Sequence, residues 1–152
     1  MDSRQKIRLP NASTCIAVCS AKGARFWHSE SRNSDWKLAK QIRHPLGAQH
    51  DAEFASDKPG RSFDSFGRGR HAVAKEFSGR QQAVFRFVEQ VAEYLNGAVY
   101  AGDFRYVVLL ADPTILGILR DKLSAAVAKA VVHEAPKNLA NLDESEIREF
   151  FE

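Results

Sequence analysis

The 152-residue sequence predicts one α/β domain of mixed α+β type. The expected core is a mixed sheet of about five strands, an antiparallel meander and then β-α-β, with helices packed on it and one long basic loop. Three observations predict it. Short β-branched runs joined by tight turns fill the first third of the chain. A long apolar stripe at helical spacing follows, from Val84 to Ala98. A near-continuous apolar run, Phe104 to Ala111, then leads straight into Asp112-Pro113. Length and 44% hydrophobic content suit a single domain that buries roughly 70% of its extended surface on folding.

Residues 1–12 read as a polar lead-in. Ser13 to Ser20 suits a buried strand, and Cys15 and Cys19, an even number apart, share one face of it as buried thiols rather than a redox or metal pair. Ala21-Lys22-Gly23 turns the chain, and Ala24 to Ser29 alternates as a second strand. Trp36 to Arg43 gives a third, with Trp36, Leu38 and Ile42 inward. His44-Pro45 ends it, and residues 44–77 show no sustained period, the pattern of a long loop. Ser78 is then the expected N-cap of a helix carrying Val84, Phe87, Val88, Val91, Leu95 and Ala98, and Gly97 or Gly102 its stop. Asp112 and Pro113 have N-cap and first-turn chemistry for a short helix through Leu119, which Leu123 to Ala128 extends or follows. Ala130 to Glu134 reads as an edge strand. Asp143 and Glu146 have capping-box spacing for a last helix with Ile147, Phe150 and Phe151 on one side.

Charge is unevenly spread. The formal balance is +3, but Lys58 to Arg80 holds six basic residues against two acids, whereas Glu134 to Glu152 holds two against six. Such a dipolar chain steers an anionic partner toward its basic half, unless both runs are plain solvated surface. In the basic stretch Asp57-Lys58-Pro59-Gly60 is a turn signal, and Gly67 and Gly69 alternate with Arg68 and Arg70. Pro59, Gly60, Gly67 and Gly69 are the expected hinges. Lys58, Arg61, Arg68, Arg70, His71, Lys75 and Arg80 are the candidate nucleic-acid contacts, since guanidinium forks match phosphate oxygens. Phe63 and Phe66 could stack on unpaired bases or simply tuck the loop onto the sheet.

Other chemistries fare worse. His44, His50 and His71 with Asp51 and Glu53 match no known ligand spacing, so no metal is expected. Ser62 and Ser65 near His71 lack a nucleophile-elbow context. Gly67-Arg68-Gly69 neither follows a strand nor opens a helix as a dinucleotide fingerprint would, and no cofactor is expected. No apolar stretch reaches spanning length and no signal-peptide core follows Met1, so a cytoplasmic protein without membrane insertion is expected. The strand at Ala130-Val131-Val132 could pair across a homodimer or be an ordinary covered edge.

His44-Pro45, Ser56-Asp57-Lys58-Pro59-Gly60-Arg61, Gly67-Arg68-Gly69-Arg70-His71, Leu116-Gly117-Ile118-Leu119-Arg120 and Lys137-Asn138-Leu139 stand in an order and spacing that resembles the host-attachment proteins, from Cys15 to Phe151. That family in turn resembles the central domain of archaeal and eukaryotic class I peptide release factors and of Pelota. The resemblance implies an RNase-H-like fold and a basic loop facing ribosomal RNA or a tRNA end. It also implies departures. No Gly-Gly-Gln is present; Gly79-Arg80-Gln81-Gln82 is the nearest text, leaving Gln82 and His71 as weak catalytic candidates for peptidyl-tRNA ester hydrolysis. Ser20 stands where many members carry an Asp, and Asn138 where an Asp is common, which argues against metal-dependent cleavage. The expectation is a ribosome- or RNA-associated binding module related to translation release or rescue, more plausibly a binder than an enzyme. The alternatives are an accessory of attachment without RNA binding, or a hydrolase with a loop-borne site.

Overall fold

The computed structural model describes residues 6–44 and 69–152, the side chains of 69–78 and 80 excepted. The strands are β1 (Thr14–Ser20), β2 (Gly23–Ser29), β3 (Lys37–Arg43), β4 (Tyr106–Ala111) and β5 (Val131–Pro136). The helices are α1 (Gly69–Ala101), α2 (Pro113–Lys122), α3 (Ala125–Ala130) and α4 (Glu144–Arg148). The five strands form one mixed sheet in the order β3-β2-β1-β4-β5. β1 pairs antiparallel with β2 and parallel with β4, and β5 joins β4 in parallel. The mixed α+β fold is as the sequence predicts, and this order is compatible with the RNase-H-like plan.

Two cores lie on the two faces of the sheet. On one, Cys15, Ala17 and Cys19 of β1 and Val107, Leu109 and Ala111 of β4 meet Phe87, Val88, Val91, Leu95 and Ala98 of α1, together with α2 and α3 residues. The predicted apolar stripe is therefore the buried face of α1. Both thiols are fully buried and free. Burial raises both, pushing Cys19 up to about 12. On the other face Ile16, Val18, Trp27, Val108 and Leu110 meet Ile7, Leu9, Trp36, Leu139, Ile147 and Phe151.

The caps follow the sequence. Asp112 accepts a hydrogen bond from the Thr114 amide at 2.9 Å, with Pro113 in the first turn. Asp143 and Glu146 complete a capping box. Ser124 caps α3, so Leu123 to Ala128 begins a separate helix rather than extending α2. Gly102, at φ +83°, ends α1: its own amide bonds to Val99 O and that of Asp103 to Ala98 O, a Schellman closure. Gly23, at φ +147°, also lies where an added Cβ would sit 2.6 Å from the Ile42 carbonyl oxygen. Only glycine lets the β1–β2 turn meet the end of β3 so closely.

Three expectations are corrected. Residues 1–12 are more than a lead-in: Ile7 and Leu9 are 4% exposed, and Ile7 bridges Phe151, its amide donating to Phe150 O at 2.8 Å. Two apolar residues among charged ones are enough to close the second core. Leu38 is 53% exposed rather than inward. The register shifts so that Trp27 faces Leu38 while Phe26 faces Lys40, leaving Ala39 as an extra residue. That bulge puts Trp36 and Leu38 on one face and Ile42 on the other. Finally, α1 begins at Gly69 rather than after Ser78, so residues 69–77 of the expected loop are helix and Gly69 is not a hinge, while 45–68 lie outside the described residues. Ala72, Ala74, Lys75 and Glu76 are good helix formers, and no proline interrupts them.

Candidate functional site

The topology brings several chain segments to one end of the sheet. β1, β4 and β5 all run toward it, ending at Ser20, Ala111 and Pro136. β2 begins there, since Gly23 pairs with Ser20, and β3 ends there, since Arg43 pairs with Gly23. The carboxyl ends of parallel strands are where open α/β sheets bind ligands. His44, the residue after β3, is 2% exposed and stacks on Phe87 with ring centroids 4.4 Å apart. α1 therefore crosses the carboxyl end of the sheet near Phe87. Its preceding residues, Gly69–Arg86, span about 27 Å of helix beyond that point at 1.5 Å per residue. Gln81, Gln82, Phe85 and Arg86 in this stretch are exposed.

The described rim of this end carries cations beside acids: Asp112 closes β4, and Asp143 lies close enough to Arg25 to act on its charge. Lys22 in the β1–β2 turn and Arg43 at the end of β3 are exposed, and Lys137 follows β5 with its ammonium 5.1 Å from the Phe150 ring centroid. Lys22 Nζ donates to Asn141 Oδ1 at 3.3 Å. Arg25 holds the post-β5 segment in place, donating to Leu142 O at 2.8 Å and Leu139 O at 3.1 Å. Burial lowers its pKa, with Asp143 opposing. Ser20 is buried, and its Oγ accepts the Lys22 amide at 3.1 Å. Asn138 likewise accepts the Ala140 amide at 3.3 Å. Asp112, the acid at the end of β4, is engaged in capping α2. Among the described residues no group of three or more His, Cys, Asp and Glu is placed to hold a metal ion.

The predicted site residues divide accordingly. Lys58, Pro59, Gly60, Arg61, Gly67 and Arg68 lie outside the described residues, as do Phe63, Phe66, His50, Asp51, Glu53, Ser62 and Ser65. Gly69, Arg70, His71, Lys75 and Arg80 fall on the first turns of α1. Gln82 is exposed on the same helix. His44, grouped with the loop histidines by sequence, is instead a core residue whose pKa burial lowers.

Sequence reasoning missed one pair. Ser13 Oγ lies 2.9 Å from His28 Nε2, and the same hydroxyl is 3.1 Å from Asp103 O. A hydroxyl donating to that carbonyl has no proton left for the imidazole, so the pair ties strands at the amino end of the sheet. Its signal lay in the β1–β2 register, which sets His28 opposite Cys15. It is far from the carboxyl end of the sheet.

A single five-stranded sheet, two cores and a long helix that begins well before the sheet define an α+β protein. The family model described as "Protein required for attachment to host cells" matches residues 15–150, and the chain belongs to that family. It is a host-attachment-related protein, as the ordered motifs from His44 to Leu139 implied. A search of curated proteins finds no match.

Proposed function

We propose that this protein is a cytoplasmic RNA-docking module, acting on ribosomal RNA or tRNA, whose interface joins the basic stretch 58–80 to the carboxyl edge of the sheet. The observation that carries the reading is topological. His44 leaves the sheet at that edge, α1 returns to it, and Lys22, Arg43 and Lys137 already line it. Arg70, Lys75 and Arg80 thus stand on the part of α1 that precedes its contact with the sheet. The resemblance to release-factor central domains supports RNA as the polyanion, and the missing Gly-Gly-Gln supports binding without ester hydrolysis. With about four phosphate contacts, log affinity for single-stranded RNA falls against log salt with a slope near −3.

The test is anisotropy of labelled single-stranded RNA with nuclease-cleared protein, alongside ribosome co-sedimentation at low and high salt. Arg68→Ala with Arg70→Ala should weaken binding at least about tenfold. Binding insensitive to that pair, or no binding at low salt, defeats the reading. The family description favours a second reading, an attachment accessory that touches no RNA. It predicts a cell-adhesion defect on deletion that the Arg68/Arg70 variant fully rescues. A hydrolase would instead release peptide from peptidyl-tRNA in a manner lost in Gln82→Ala or His71→Ala.

A further inference from the structure

Residues 137–143 connect β5 to α4 without regular secondary structure. They do not stay beside the strand they leave. β5 ends at Pro136, paired with Ala111 of β4, whereas Arg25, whose side chain meets the segment, is on β2. β1 and β4 lie between, so the two strands stand three spacings, about 14 Å, apart. The segment turns back across the sheet over that distance, and Leu139 buries itself among Val18, Trp27 and Leu110 on the way.

Arg25 fixes its far side. Nη1 donates to Leu142 O at 2.8 Å and Nη2 to Leu139 O at 3.1 Å, so one planar fork holds two carbonyls. The guanidinium carbon is 5.2 Å from the centroid of the buried Trp27 ring, which fixes the fork in turn. Within the held segment the Leu142 amide donates to Leu139 O and the Ala140 amide to Asn138 Oδ1. Two cations take their places from it. Lys137 is confined between β5, where its amide donates to Ala135 O, and the anchored Leu139. Lys22 Nζ rests on Asn141 Oδ1, one residue before the Leu142 carbonyl that Arg25 holds.

We propose that Arg25 is a positioning residue for the RNA interface, an inference that rests on the RNA-docking reading. Its donors are spent on carbonyls, so it makes no phosphate contact itself. It acts by holding 137–142 under the β1–β2 turn, which sets Lys137 and Lys22 where one strand of RNA meets both. Arg25→Lys keeps the charge and most of the stem, but a single ammonium does not span both carbonyls.

Anisotropy of labelled single-stranded RNA with the nuclease-cleared full chain, across a salt series, is the first readout. Lys137→Gln removes one phosphate contact, which reduces the steepness of the salt dependence by about 0.7 and the affinity at about 0.1 M salt about fivefold. Arg25→Lys, at unchanged net charge, produces the same loss, and Lys137→Gln added to it produces no more. A side chain that only stabilised the fold would leave the two losses additive. Hydrogen exchange of the RNA-free protein is the second readout. The Ala140 and Leu142 amides exchange at least about tenfold faster in Arg25→Lys, while those of β1 and β4 keep their rates. If Lys137→Gln weakens binding and Arg25→Lys does not, if the losses add, or if exchange at Ala140 and Leu142 is unchanged, the positioning role is overturned and the RNA reading survives. A wild type that binds no RNA overturns both.

Discussion

Lys22 and Arg43 give the sharpest test of where the polyanion sits, because they are described, exposed and next to one another in the backbone. The His44 amide approaches Lys22 O at 3.5 Å, so the turn and the end of β3 move as one piece. Lys22 Nζ gives up only an exposed 3.3 Å contact to Asn141 when it turns to a phosphate. If each cation neutralises one phosphate of a single strand, Lys22→Gln with Arg43→Gln reduces the steepness of the salt dependence by about 1.4. At about 0.1 M salt, a decade below 1 M, that is about 25-fold in affinity, near 2 kcal/mol. The control removes the same charge from the other end of the sheet. Arg105 precedes β4 and Lys129 closes α3, both exposed. Arg105→Gln with Lys129→Gln should leave the slope where it was. Anisotropy titrations at four or five salt concentrations read both slopes. Equal losses for the two pairs would mean that net charge, not the carboxyl edge, governs binding.

Three further outcomes follow from the packing. Ile7→Ala should cost about 2–4 kcal/mol and lower the melting temperature by roughly 5–15 °C, whereas a polar lead-in would tolerate it without change; thermal unfolding by circular dichroism decides. His44 is held neutral by burial, its folded pKa lowered. The unfolded chain therefore takes up the proton first, and stability is full above about pH 6.5, falling below it until the lowered folded value is passed. His44→Gln should flatten that limb of a denaturant-midpoint profile, and an unchanged profile would reject the assignment. Cys19, pushed up to about 12 by burial, and Cys15, raised likewise, should resist a thiol reagent at neutral pH until the chain unfolds. Fast labelling of native protein would contradict this.

The elements that could be read from sequence are those whose pattern is imposed by a core. β1, β4 and the second half of α1 announce themselves because each lies against apolar neighbours on a defined face. Caps were equally legible at Asp112 and Asp143, where the side chain bonds only two or three residues away. Legibility failed where the deciding contact is remote. Ile7 looks polar by its neighbours, and its burial depends on Phe151 at the far end of the chain. Leu38 was misplaced by a bulge that no local signal marks. The first turns of α1 were missed because the glycine- and arginine-rich stretch before them reads as loop, although Val73 and Phe77 stand at helical spacing with Val84.

The same reasoning explains why the neighbours at the sheet's carboxyl end could not be read from sequence. The register of β1 with β2 and β3 brings Lys22 and Arg43 to one end of the sheet, a grouping that no sequence spacing shows. The side chains at the sheet's carboxyl end also bear on what is done with the phosphate. Ser20 spends its hydroxyl on the turn, Asn138 its amide oxygen on Ala140, and Asp112 its carboxylate on α2. Two-metal phosphodiester cleavage needs carboxylates converging on cations. Here the side chains that could have converged are turned to backbone amides. Under the proposed reading this end of the sheet would bind RNA without cutting it, and RNA left intact after incubation with the nuclease-cleared protein and Mg²⁺ is the outcome expected.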